Sequence, residues 1–357
     1  MKDLTFEEVF SWEHLNICFD KAMLGIKWKH SAQNRLAHRI TILTKLHNDL
    51  LTGKFKSNLA ADFYIHERGK IREIKSVSIE DRIVQKCLCD YYLVPRITPK
   101  LIYDNSACLK DKGYDFAIKR TRYFLTEFYK KNKGEGYVLK FDIHSFFDSI
   151  QHDILLEKMK KVITDEKIFN LYKYLLTSLQ KDKGMVLGNQ ISQISGIYYL
   201  NELDHYIKDE CGFKYYHRYM DDGIILCESK AKLNEVLNEL KKILVNLKLE
   251  FSPKKTNIIK LSKGFEFLKA RFNYSETGKI IMRPNKKNPV RMRRKIKKMF
   301  KNNVSLNNVN ISVQSWSAHL KRFDAYKIKE NIFKLMENEY DKTRNNCNWK
   351  KNTIENL

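Results

Sequence analysis

Tyr219-Met220-Asp221-Asp222 sets two adjacent carboxylates between two apolar, strand-prone runs, Tyr215–Met220 and Gly223–Cys227. The runs read as the arms of a hairpin, with Asp221-Asp222-Gly223 as its turn. A tight turn can aim neighbouring carboxylates to one side, where a straight strand would splay them apart. Such a pair suits a divalent cation. Asp-Asp-Gly is also ordinary turn chemistry, so taken alone the stretch reads equally well as a polar hairpin tip.

A third carboxylate on another strand separates the two readings. Tyr137-Val138-Leu139-Lys140-Phe141-Asp142-Ile143 alternates and ends in apolar residues like a half-buried strand, with Phe146-Phe147-Asp148-Ser149-Ile150 just after it. An acid in such a strand is costly unless it meets a cation. For Asp142 alone a core lysine would serve. With Asp221 and Asp222 at the tip of a separate hairpin, shared metal is the better reading, because a pair of Mg²⁺ ions about 3.5–4 Å apart needs carboxylates from more than one strand.

The order of motifs around these acids resembles the reverse transcriptases. Phe141-Asp142-Ile143-His144-Ser145-Phe146-Phe147-Asp148 is similar to their first catalytic palm motif, and Arg218-Tyr219-Met220-Asp221-Asp222 to their second. Between them, Gly184-Met185-Val186-Leu187-Gly188-Asn189-Gln190-Ile191-Ser192-Gln193 looks like the loop and helix beneath the incoming nucleotide. Leu249–Thr256 resembles the lysine-bearing motif after the palm helix, and Gly264–Phe272 the hairpin that grips the primer. Upstream, Gly69-Lys70-Ile71-Arg72, Glu80–Gln85, Asn105–Cys108 and Lys112-Gly113 resemble the fingers of the bacterial branch. The likeness covers about residues 60–275.

The resemblance implies an α+β right-hand polymerase: fingers over 1–130, a palm with an antiparallel sheet backed by helices over 131–275, and a basic helical thumb over 276–357. It implies RNA-directed DNA synthesis by two-metal nucleotidyl transfer, with Asp142, Asp221, Asp222 and the carbonyl of Ile143 holding two Mg²⁺ ions, for which Mn²⁺ can substitute. Phe147 resembles the gate that excludes a ribose 2′-hydroxyl, unless it merely packs. Lys70 and Arg72 are candidates for the triphosphate, Arg72 favoured for its fork geometry, or are solvent charges on a hairpin. Lys255 is either a proton donor to pyrophosphate or a phosphate contact. Gly188 permits close backbone approach to the nucleotide.

Leu187-Gly188 and Ser192-Gln193 stand where many members carry Gln-Gly and Ser-Pro. That variant resembles enzymes of diversity-generating retroelements and related antiphage defence systems. An apolar Leu187 removes a polar check on nucleotide geometry, which implies lowered fidelity or altered template-base discrimination, though packing beneath the palm accounts for it too. Expected partners are a structured RNA template or non-coding RNA, DNA primer or product, dNTPs, and an accessory protein or second copy. The alternatives are an RNA-binding maturase-like protein and a template-independent DNA polymerase of a defence system.

Composition agrees. In 357 residues, 67 Lys and Arg against 42 Asp and Glu leave a formal charge of +25, beyond what solubility needs and suited to a polyanion. No apolar run reaches the roughly 18 residues of a spanning helix, and the start lacks a basic-then-apolar signal. The expectation is a cytoplasmic protein that does not meet a membrane. Seven cysteines without a C-x-x-C pair read as reduced thiols, and no histidine cluster suggests zinc.

Periodicity predicts helices over 6–52, 114–131, 153–181, 191–206 and 228–247, a hairpin over 63–77 turning at Arg68-Gly69, and a helix over 79–92 capped by Ser78. In the C-terminal part, Asn288 and Pro289 read as the start of a basic helix whose Arg291, Arg294, Lys295 and Lys298 track phosphates. Two more helices complete the expected thumb, and the polar, Asn-rich tail from about Tyr340 is expected to fray. On this reading no RNase H, protease or endonuclease domain is expected within these 357 residues.

Overall fold

The computed structural model describes residues 4–67, 69–178, 182–186 and 188–354, apart from the side chains of 59–62, 67, 70, 72 and 345–354. Two units emerge: residues 1–120, 139–225 and 231–257 form one, and residues 121–138, 226–230 and 258–357 the other.

The first unit opens with four helices, Phe6–Val9, Trp12–Met23, His30–Ala37 and Arg39–Leu51. Thr5 and Glu8 close a reciprocal capping box, and Ser11 accepts from His14 N–H, so the first two helices start where their orphan donors find oxygen. Strands β1 (Leu59–Glu67) and β2 (Lys70–Val77) pair antiparallel, and Gly69 in the connecting turn has a φ of 79°. Ser78 caps the helix Ile79–Leu88, as its sequence position predicts. That helix ends four residues early and passes through a π-turn, Cys89–Leu93. Leu15, Cys18 and Phe19 from Trp12–Met23 are buried, as are Ile83, Val84 and Cys87 on the facing helix.

Strands β3 (Tyr137–Asp142), β4 (Tyr216–Tyr219), β5 (Asp222–Cys227) and β6 (Asn257–Lys260) make a sheet of order β4-β5-β3-β6. The expected helix over 191–206 is broken. Gln190–Tyr199 ends at Leu200, Asn201–His205 follows, and Tyr206–Glu210 is a π-turn. Beyond the break Asp204 is wholly buried against Arg218, an orientation that a straight helix need not supply.

In the second unit, β7 (Phe265–Phe267), β8 (Ala270–Tyr274) and β9 (Ile280–Pro284) form an antiparallel sheet. Leu268 and Lys269, both at positive φ, make the two-residue turn between β7 and β8. Three helices follow, Lys287–Lys301, Leu306–His319 and Tyr326–Ile354. Their core is Met292, Ile296, Phe300, Val309, Val313 and Ile332. Two details differ from expectation. The basic helix starts at Lys287, whose N–H donates to Asn285 Oδ1 at 2.7 Å, while Asn288 Oδ1 accepts from Trp316 Nε1 at 2.7 Å. The tail continues as helix to Ile354, since Asn and Lys cost a helix only a few tenths of a kcal/mol each. Among the described residues no helix is long and apolar enough to cross a membrane. The α+β expectation holds, with antiparallel sheets among many helices.

Candidate active site

Tyr219 pairs with Asp222, so the β4–β5 turn is Met220-Asp221 and not Asp221-Asp222-Gly223. Met220 sits at a φ of 56°, in the left-handed region, with its carbonyl accepting from Arg218 Nη1 at 2.7 Å. Gly223 belongs to the strand. It is glycine because a Cβ there would run into the ring of Phe141 on neighbouring β3. The close approach brings the start of β5, with Asp222, against the end of β3, with Asp142.

Arg218 holds the hairpin from within. Its guanidinium, wholly buried, bonds Asp204 through Nε at 2.6 Å and through Nη2, and also donates from Nη2 to the carbonyl of Ile197 at 3.0 Å. Tyr216 donates its hydroxyl to the same Asp204 at 2.6 Å. Every buried charge here has a partner, the condition under which such a network is tolerated. In the sequence Arg218 stands out as part of a motif, and Asp204 does not. An Asp on the apolar face of an amphipathic segment was the available signal.

Asp142 is positioned from the other side. Its carbonyl accepts from Ser252 N–H at 2.7 Å, Ile143 bridges Phe251, and His144 N–H donates to the carbonyl of Glu250 at 2.9 Å. This zipper places Lys255 over the site, with Nζ 2.6 Å from Asp142 Oδ2. Burial works against the Lys255 charge, but Asp142, Asp222 and Asp221 outweigh it and raise its pKa.

The acids repel one another. Burial and then the charge of Asp142 push Asp221 up, and burial with the charges of Asp221 and Asp142 pushes Asp222 up to about 7. Asp142, Asp221 and Lys255 line a cavity of about 620 Å³ with Phe147, Met185 and Val186, and with Ile71, Glu73 and Lys75 from β2. Among the described residues no three carboxylate, imidazole or thiol groups are gathered as a ready metal cage. The donor set still fits a hard divalent cation: oxygen ligands on two strands whose mutual repulsion such a charge would relieve.

The remaining expected site residues fall as follows. Phe147 is half-buried, edge-on to Phe146, and lies beside Gly196 on the helix Gln190–Tyr199. Gly188 has a φ of 90° and open space around it. Leu187 lies outside the described residues. Lys70 and Arg72 belong to β2, their side chains outside those described; among the described residues of β2, Lys75 lines the cavity. Arg291, Arg294, Lys295 and Lys298 are exposed on the helix Lys287–Lys301 in the other unit.

Residues 56–272 match the family described as reverse transcriptase (RNA-dependent DNA polymerase). The chain belongs to the reverse transcriptase family. RNA-directed DNA polymerase is the enzyme class this assigns, and reverse transcriptases generally use divalent metal ions such as Mg²⁺. Protein YkfC of Escherichia coli is 24% identical over 282 residues, covering 67% of this reverse transcriptase and 72% of YkfC. A putative COX1/OXI3 intron 1 protein of Saccharomyces cerevisiae is 25% identical over 177 residues, covering 47% of this chain but 20% of that protein. Among solved structures, apo telomerase from Candida tropicalis, truncated from its C-terminal domain, gives a TM-score of 0.48 at 16% identity, covering 67% of this chain and 60% of that one. Telomerase from Candida albicans, in complex with a fragment of telomeric RNA, gives 0.49 at 11% identity, covering 79% of this chain and 58% of that one. The family assignment rests on the match over 56–272 and not on these likenesses.

Proposed function

We propose that this reverse transcriptase copies a cognate structured RNA into DNA by nucleotidyl transfer in the cavity lined by Asp142 and Asp221. The observation that carries this reading is the arrival of Asp142 from the end of β3 and Asp221 from the β4–β5 turn at one cavity, with Asp222 electrostatically tied to both. When bound there, Mg²⁺ supplies charge neutralisation at the triphosphate and activation of the primer hydroxyl. Asp142, Asp221, Asp222 and the carbonyl of Ile143 are its proposed ligands. Phe147 narrows the cavity where a ribose 2′-hydroxyl would lie and so selects deoxynucleotides. Gly188 leaves backbone room for the nucleotide, and Lys255, paired with Asp142, meets a phosphate oxygen or gives the leaving pyrophosphate a proton. Lys70 and Arg72 remain candidates for triphosphate contact. The exposed cations Arg291, Arg294, Lys295 and Lys298 take the duplex backbone as the thumb of a fingers, palm and thumb arrangement.

A diversity-generating or antiphage defence role, with lowered fidelity arising from Leu187, is the finer reading. It draws on Leu187-Gly188 and Ser192-Gln193. Extension of a DNA primer on a defined RNA template tests the polymerase reading. Wild-type protein is expected to yield product that copies the template, and Asp221→Ala none. Binding without synthesis, or product whose sequence ignores the template, would overturn it.

A further inference from the structure

A cavity of about 870 Å³ in the first unit lies apart from the catalytic one. It runs between the helices His30–Ala37 and Arg39–Leu51, the stretch 54–58 and the start of the helix Ile79–Leu88. Successive strand residues project to opposite faces. On β2, Lys75 lines the catalytic cavity and Ser76 this second groove.

Six cations line the groove: Lys29, Arg35, Lys45, Lys54, Lys56 and Arg82. Two carboxylates accompany them, Asp49 and Glu80, and Glu80 is already bonded to Arg35 at 2.8 Å. A solvated charge run belongs to one helix face. These cations come from four separated stretches of chain and converge on one concavity, where their mutual repulsion is unfavourable unless a polyanion fills it. Lys29, which lines the groove, has its Nζ 5.5 Å from the ring centre of the neighbouring Trp28, whose side chain is 75% exposed. A bare indole beside clustered cations offers a base a stacking platform and its phosphates a track.

We infer that this groove is a second nucleic-acid site, holding a single-stranded segment of RNA while the catalytic cavity is occupied. The choice of RNA over another polyanion rests on the polymerase reading. The groove would anchor unpaired RNA outside the copied stretch, with Lys45, Lys54 and Lys56 on phosphates and Trp28 under a base.

The test fills the catalytic cavity first, using a dideoxy-terminated DNA primer on a short RNA template with Mg²⁺ and the next dNTP. Binding of a labelled oligouridylate is then followed by anisotropy across a salt series. The oligonucleotide is expected to bind the filled wild-type protein. Lys45→Glu/Lys54→Glu/Lys56→Glu should weaken that binding at least about tenfold and flatten its log–log salt slope by about 2, at roughly 0.7 for each phosphate left without its lysine. Trp28→Ala should weaken it at least about fivefold without changing the slope. Extension of the short hybrid and the melting temperature should match wild type in both variants, which separates weakened binding from a damaged fold. Complete displacement of the oligonucleotide by the hybrid, or unaltered affinity in the triple variant, would overturn the proposal. So would tripolyphosphate binding that the triple variant abolishes, in a protein that leaves the oligonucleotide free. Wild-type extension of an unblocked primer reports the polymerase reading independently.

Discussion

Around the β4–β5 hairpin, Arg218, Asp204 and Tyr216 are wholly buried and satisfied by one another, whereas along the helix Lys287–Lys301 the cations face solvent and Met292, Ile296 and Phe300 fill the interior. In the first region charge is a means of construction, and each group is fixed by the others. In the second, an apolar stripe builds the helix packing and charge is left for a partner. Substitutions should therefore be large and interdependent at the hairpin, and small, additive and salt-dependent on the helix.

The sharpest way to break that contrast is Arg218→Met. It leaves Asp204 buried without its cation, and urea denaturation should show a loss of about 3–5 kcal/mol. The double variant Arg218→Met/Asp204→Leu should regain most of the stability, because no orphan charge remains, yet still extend primers poorly, since nothing then grips the Met220 carbonyl. A single variant no worse than a surface change would erase the distinction.

Gly223→Ala should come next. Its methyl group meets the Phe141 ring, an overpacking expected to cost about 1–3 kcal/mol. Phe141→Leu in the same chain should restore part of that loss and part of the primer extension, both measured against Gly223→Ala alone.

The hairpin acids give a pH-dependent comparison. Asp222 has its pKa raised in the fold to about 7, so the folded state holds this proton more tightly than the unfolded chain. Its contribution to stability is complete below the ordinary carboxylate range and is lost as pH rises through about 7. In metal-free buffer Asp222→Asn should therefore melt a few degrees above wild type at about pH 8, with the gap closing as pH falls toward 4. A constant gap across that range would show that the acid is not strained by its neighbours.

The smallest effects belong to the basic helix. Single changes of Arg291, Arg294, Lys295 or Lys298 to Gln should leave melting unchanged within about 0.5 kcal/mol. Each that touches a phosphate should reduce the salt slope of hybrid binding by about 0.7–0.9. Strong non-additivity among them would place these cations in a built network like that of Arg218.

Much of the fold was legible because its signals are local. Ser78 caps the expected helix, the acid-bearing hairpin forms at its expected place, and the apolar stripe of Met292, Ile296 and Phe300 packs as its spacing implies. Where expectation and structure part, a distant partner had decided. Asp221-Asp222-Gly223 looked like the turn because glycine is usual there, but Phe141 on another strand claims Gly223 for close packing. Asn288 looked like a cap, but Trp316 takes its side-chain oxygen. The helix over 191–206 looked continuous, and its break became intelligible only beside Arg218.

The amino-acid sequence by itself pointed to the family and to much of the order of elements, and it singled out the acids as candidates, because capping, periodicity and motif spacing act over a few residues and need no knowledge of the fold. Only the tertiary structure decided that Arg218 and Asp204 are the internal brace of the hairpin, that Lys255 lies on Asp142, and that six cations from separated stretches share one groove. Those relations are distances between residues far apart in the chain. They arise when the core closes, and burial then converts ordinary charges into shifted, interdependent ones.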